Sequence, residues 1–383
     1  MNLIKKALQK LDAIRGLGLI GLGDISGGII TSIFWLYIAS ILEPSEYGEI
    51  HFFLSIATIG SAIALFGTQE SIIVLSSKGN KIQSPVNFIS LVISSITSLI
   101  LIISFERLEL GILVVAFVIN TLAIGDLLGG KKFFKYAQYT LLQKILTLIF
   151  GISLFYLFGP SGIIFGIGVS YLGYSLRIIK IFRENPINLK IIKDKFSFIL
   201  YNYIINLVGN FGSQIDKIIL LPILGTAVLG NYSLSLQVIT ILTIFTSILF
   251  KFLLPQESRK IENKLLIKVV ILVAIVTSIF GVILSPLLIP SFFPKYMDTT
   301  IAIQIMSLSI LPITLDTIFS SQILSKEKSK FILLGGIISL FIMIIGILSL
   351  GSIFGTIGVA ITFVISAILK TTFLGLTWQK IKE

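Results

Sequence analysis

Apolar runs of about 20 residues recur along the whole chain, and nothing constrains its fold more. Roughly 20 apolar residues in a helix cross about 30 Å of hydrocarbon. Such runs lie near 16–42, 50–76, 84–104, 110–130, 137–158 and 161–182. A second set lies near 196–222, 226–254, 265–289, 299–325, 330–350 and 353–378, which makes twelve predicted spans. In lipid each backbone amide must be satisfied within its own segment, so the spans are expected to be helices. Composition agrees: of 383 residues, 55% are hydrophobic and 13% charged. That is about half the charged share of a soluble domain, too little to clothe two or three of them. The first run is too long for a secretory signal and lacks a small-residue cleavage site, so no cleaved leader is expected.

Charge tests the twelve-span reading, because inner connections should collect Lys and Arg. Alternate connections do so. Those on the side of both termini carry +19, the opposite side −4 and the spans −3, which returns the net +12. The inner groups include Lys131, Lys132 and Lys135, and the stretch from Arg177 to Lys195. Both termini are therefore expected in the cytoplasm and the chain in the cell membrane. The basic balance serves orientation and anionic headgroups, and needs no nucleic-acid partner. With no cysteine and a single histidine, His51, neither a thiolate nor an imidazole metal cluster can form. His51 itself reads as an interfacial residue.

The longest inner connection, RENPINLKIIKDK at 183–195, divides the spans into six and six. The expected architecture is two six-helix bundles, 1–182 and 196–383, joined by that linker. Even numbers put both halves in from the same side, related by a pseudo-two-fold along the membrane normal. Two local matches accompany this. LEPSEYG from Leu42 to Gly48 parallels LGTAVLG from Leu224 to Gly230, an offset of 182, and QES at 69–71 recurs at 256–258.

The stretch WLYIASILEPSEYGEIHFFLSIATIGSAIALFGTQESI (35–72) resembles the opening of the polysaccharide-type flippases of the multidrug/oligosaccharidyl-lipid/polysaccharide exporter superfamily. NFGSQIDKIILLPILGTAVLGNYSLSLQVITILTIFTSILFKFLLPQESR (210–259) resembles their seventh and eighth helices, including the Asp216 position and Gly230-x-Tyr232-Ser233. The resemblance implies a flippase that moves a lipid-linked oligosaccharide from the inner to the outer leaflet by alternating access.

Polar residues inside spans are costly and face protein or a wet cavity. Asn202, Asn206, Asn210, Ser213 and Lys217 follow spacings of 4, 4, 3 and 4, hence one helix face, with Gln214 and Asp216 flanking it. The stripe either lines a substrate cavity or glues helices together. The 182 offset puts Asn206 on Asp24, Asn210 on Gly28, Ser213 on Thr31 and Lys217 on Trp35. Asp24 and Thr31 are thus the counterpart candidates on the first span. A lipid diphosphate wants a cationic contact, for which Lys217 and Lys144 lie deepest, with Arg177 and Arg15 nearer the inner mouth. Lys144 could equally snorkel to the inner headgroups. Asp126 and Asp316 are candidates for proton or Na⁺ coupling, Pro312 freeing a carbonyl beside Asp316. Glu70 reads as interfacial. Gly23-x3-Gly27 and Gly125-x3-Gly129 read as close helix contacts, and the formal G-x-G-x-x-G at 16–21 opens a span instead of following a strand.

No catalytic set emerges, so an enzyme is not expected; nor is any cofactor beyond a coupling ion. Expected partners are the lipid-linked oligosaccharide, membrane lipids and glycan-assembly enzymes. A cation-coupled drug exporter of the same superfamily stays open as the alternative. A membrane glycan polymerase or ligase fits less well, because the outer connections EPSEYGE and PSFFPKYMD are short.

Overall fold

A computed structural model of the chain describes residues 2–244, 264–326 and 328–382. Fourteen α-helices carry the fold, with no strand among the described residues. They are α1 (Asn2–Ile41), α2 (Pro44–Ala64), α3 (Gln69–Ser77), α4 (Gln83–Phe105), α5 (Leu108–Gly129), α6 (Phe133–Phe158) and α7 (Pro160–Ser170). There follow α8 (Ser175–Glu184), α9 (Lys190–Leu242), α10 (Lys264–Phe292), α11 (Met297–Ser307), α12 (Ile310–Ser325), α13 (Lys330–Gly346) and α14 (Ser352–Lys382).

Among the described residues nine helices are long and apolar enough to span a membrane. The bent pair Pro294–Ser307 and Ile310–Ser325 makes up to ten. Two of these runs are joined pairs. Lys190–Leu242 contains Gly225 at φ 85°, and Lys330–Ile381 contains Gly355 at φ 56°, both outside helical geometry. Only glycine takes such angles without strain, so each marks a turn between spans. Divided there, ten become the predicted twelve. Residues 245–263, which hold the end of the eighth span, the basic connection after it and the second QES, lie outside the described residues.

By contact the chain forms two compact units: Met1–Phe34 with Phe53–Gln214, and Trp35–Phe52 with Ile215–Glu383. This partition follows contact and differs in kind from a six-and-six repeat in chain order. The first unit centres on Ile72, Ile82, Val86, Leu122, Ile178 and Ile199, all buried. Part of its polar interior is paired within itself: the Gln143 amide donates to Thr147 and Ser170, and the Ser170 hydroxyl donates to the Ile167 carbonyl. The second unit centres on Leu220, Leu229, Ala302, Met306 and Val359. His51 sits there among rings, 4.6 Å from Trp35 and 4.5 Å from Tyr47.

The small-residue spacings mark close helix contacts. A Cβ on Gly23 would lie 3.2 Å from the Ala137 backbone, and one on Gly129 3.1 Å from the Ile73 backbone. The tightest such contact joins the two repeated segments within the second unit. A Cβ on Gly48 would fall 2.0 Å from the Thr226 carbonyl oxygen, and one on Gly230 1.8 Å from the Pro44 carbonyl oxygen. With the offset of 182, Pro44 corresponds to Thr226 and Gly48 to Gly230. Each glycine therefore faces the third residue of the other segment.

Candidate functional site

A cavity of about 300 Å³ opens within the first unit. From α2 come Thr58, Ser61 and Ala62, with Leu65 just past its end, spaced for one helix face. The chain then breaks and restarts at α3, where the Thr68 hydroxyl caps the helix by accepting from the Ser71 N–H. A Cβ on Gly67 would collide with Val86 of α4 at 1.8 Å, so only glycine lets this break lie so close. The restart brings Gln69 and Glu70 into the lining. One turn of α5 adds Phe117, Asn120 and Thr121, and α9 adds Asn206 and Asn210.

The Asn210 amide donates to the Asn206 backbone carbonyl at 2.9 Å and to its Oδ1 at 3.1 Å. That arrangement leaves Asn206 Nδ2 as a donor and Asn210 Oδ1 as an acceptor for a ligand. Thr58 and Thr121 donate to carbonyls of their own helices, so their oxygens still offer lone pairs. Among the described residues the lining holds one carboxylate and no cation.

The remaining stripe residues divide. Asn202 donates to the Phe198 carbonyl, and Ser213 to the Asn210 carbonyl. Gln214 accepts from Ser55 of α2 at 3.0 Å. Asp216 and Lys217 belong to the second unit, where Asp216 accepts from the Tyr232 hydroxyl at 2.7 Å and from the Lys217 backbone amide at 2.8 Å. The Lys217 ammonium lies 3.7 Å from the same carboxylate. The pair is neutral overall and attracts an anion less than a lone ammonium would.

The first-span counterparts do not appear in this lining. Asp24 accepts from the Tyr136 hydroxyl of α6 at 2.5 Å, and Thr31 donates to the Gly27 carbonyl. The Lys144 stem would meet a Cβ on Gly27, one helical turn on from Asp24, at 3.3 Å. These residues form a seam between α1 and α6.

Asp126 is buried and held by buried Arg177 of α8, whose Nε donates to it at 2.6 Å and whose Nη2 reaches the same oxygen. Asp316 of α12 accepts from Lys370 of α14 at 3.1 Å, while its Oδ1 is buried without a hydrogen-bond partner among the described residues. The carbonyl of Pro312 accepts from Thr371 at 2.8 Å.

Sequence reasoning missed part of this. Glu70, read as interfacial, also lines the cavity, because the break after α2 turns the end of a predicted span into a new first turn. Gln69, Asn120 and the α2 hydroxyls went unmarked, although Thr58 and Ser61 share a face with Leu65. Lys370 went unmarked as well, yet it pairs with Asp316.

A sequence profile of polysaccharide biosynthesis proteins matches residues 37–295. The chain belongs to that family. No curated protein sequence matches it significantly. Among solved structures, this polysaccharide biosynthesis protein shares its fold with an inward-facing multidrug resistance MATE family transporter of the MOP superfamily. That comparison has a TM-score of 0.67 at 16% identity and covers 95% of this chain and 94% of the other. The lipid II flippase MurJ in an inward closed conformation is similar at TM-score 0.68 and 16% identity, over 95% and 87% of the chains. A MOP superfamily transporter from Pyrococcus furiosus, described as having a binding pocket of reversed polarity, follows at TM-score 0.57 and 15% identity. It is covered over 94% of its length, and this chain over 97%. The fold is thus the all-helical, twelve-span membrane fold of these transporters.

Proposed function

We propose that this protein is a flippase that carries a lipid-linked oligosaccharide from the inner to the outer leaflet of the cell membrane by alternating access. One observation carries the reading beyond the family itself: the cavity is lined chiefly by amides and hydroxyls. Sugars present many donors and acceptors without charge, and such a lining meets them in kind. A drug pocket would be mostly apolar and aromatic, whereas among the described residues Phe117 is the only aromatic residue in this lining. Glycan-assembly enzymes would supply the substrate on the inner side.

The test is leaflet transfer in proteoliposomes. A fluorescent lipid-linked oligosaccharide should become accessible to an impermeant glycosidase only when the protein is present. Replacing Asn206 and Asn210 together by Ala removes two ligand contacts worth about 0.5–1.5 kcal/mol each and should slow transfer roughly ten-fold. Ile204→Ala, at a residue 51% exposed on the same helix, should transfer at the wild-type rate. Transfer of a drug cation but no lipid-linked glycan would favour the exporter alternative.

Coupling to a proton or Na⁺ gradient is proposed for Asp316, because a buried carboxylate oxygen without a protein donor suits either ion. Asp316→Asn should leave the protein inserted but make transfer insensitive to both gradients. If the variant keeps wild-type gradient dependence, the carboxylate serves only to hold Lys370.

Both termini are proposed to lie in the cytoplasm. Cysteines introduced at exposed Ser45 and exposed Ser329 should respond oppositely to an impermeant thiol reagent, only the former reacting from outside. Labelling of Ser329→Cys from outside would invert the topology. Ser84 is fully buried and would report nothing.

A further inference from the structure

The cavity within the first unit has a chemical bias that the flippase reading does not itself require. Glu70 lines it beside Gln69, Asn120, Asn206 and Asn210, and among the described residues no Lys or Arg shares the lining. Glu70 makes no ion pair among the described residues, and it is exposed. It stands in the first turn of α3, where the helix N-terminus favours its negative charge. A diphosphate or a uronic acid entering here would face this carboxylate with no cation to offset it. A neutral sugar would meet only hydrogen-bonding groups, and a protonated amine would gain a charge-assisted bond.

We propose that this cavity is a glycan subsite and that Glu70 determines its specificity, accepting neutral sugars and sugars with a protonated amino group while turning away acidic ones. The proposal rests on the flippase reading for its cargo, and it puts the glycan, not the diphosphate, in the first unit. A volume of about 300 Å³ is at the small end of ligand pockets, enough for a short stretch of the glycan.

Direct binding separates this proposal from the flippase reading. The full-length protein in a neutral detergent is titrated calorimetrically with three soluble tetrasaccharides: glucosamine with free amines, its N-acetylated form, and galacturonate. The wild type should bind the amine form at least as well as the N-acetylated form, and the galacturonate roughly ten-fold or more weakly. Glu70→Gln should bring the three affinities within about three-fold, and Glu70→Lys should favour the galacturonate. A carboxylate that merely stabilises the start of α3 would lower thermal stability in these variants and leave the ranking intact, which overturns the proposal. Equal wild-type affinity for the amine and galacturonate forms, or no binding of any of the three, overturns it as well. Should proteoliposomes still transfer the lipid-linked glycan, the flippase reading survives that failure. The predicted ranking without transfer in proteoliposomes would uphold the subsite and remove the flippase.

Discussion

An Asp126→Ala variant should reach the membrane at a small fraction of the wild-type level, and Arg177→Ala should fare no better. Both partners are about 5% exposed. The guanidinium sends two nitrogens to one carboxylate oxygen. Deleting either partner leaves an uncompensated buried charge, which costs about 3–5 kcal/mol. That is a large share of the 5–15 kcal/mol or so by which folded proteins are typically stable. Replacing both at once with apolar residues of similar bulk, Asp126→Leu with Arg177→Met, should recover much of the loss, because no charge is then stranded. Size-exclusion profiles of a fluorescent fusion, with thermal midpoints in detergent, read all three variants. Single variants as stable as the wild type would mean that the pair is hydrated. The double variant also decides what Asp126 does. If it transfers substrate with unchanged ion dependence, Asp126 is a structural anchor between α5 and α8 and not a coupling group.

The helices were legible because a bilayer leaves so little freedom: each apolar run of sufficient length had one structural answer. Even the apparent shortfall in spans resolves at Gly225 and Gly355, whose backbone angles end helices that otherwise run on. The cavity was half legible. Asn206 and Asn210 stood out because amides at a spacing of four in an apolar run need a reason. The facing wall did not stand out, since Thr58 and Ser61 satisfy their own hydroxyl protons on Leu54 and Thr58 carbonyls. A hydroxyl bonded back to its own helix costs little in lipid and leaves no mark in the pattern. The place of Glu70 in the lining did not show because the break at 65–68 is a tertiary event, made possible by Gly67 lying against Val86. Lys217 looked like a lone cation because neighbours in sequence point apart on a helix. Here the long lysine side chain bends back to Asp216 all the same. Lys370 gave no sign of Asp316, which lies 54 residues away in sequence.

Gly230→Ala and Gly48→Ala should each destabilise the second unit strongly and to a similar degree. The added methyl would lie 1.8 Å from the Pro44 oxygen in one case and 2.0 Å from the Thr226 oxygen in the other. The obstructing atoms are backbone, so no rotamer change relieves the clash, and the two segments must separate by about an ångström or more. Overpacking of this kind costs about 1–3 kcal/mol or beyond. Because the contact is reciprocal, the two substitutions spoil one shared approach. Once the segments have moved apart for one methyl, the second should cost little, so the double variant should fall well short of additivity. Gly209→Ala is the control: the position is exposed on α9 with nothing within 4 Å of the new methyl. It should be neutral or stabilising by up to about 1 kcal/mol, as alanine is the better helix former. Thermal midpoints of the four variants decide the matter. If Gly230→Ala melts with Gly209→Ala, the segments do not meet backbone to backbone. Unequal losses at Gly48 and Gly230 would break the equivalence of 42–48 with 224–230, and with it the strongest physical support for an internal repeat.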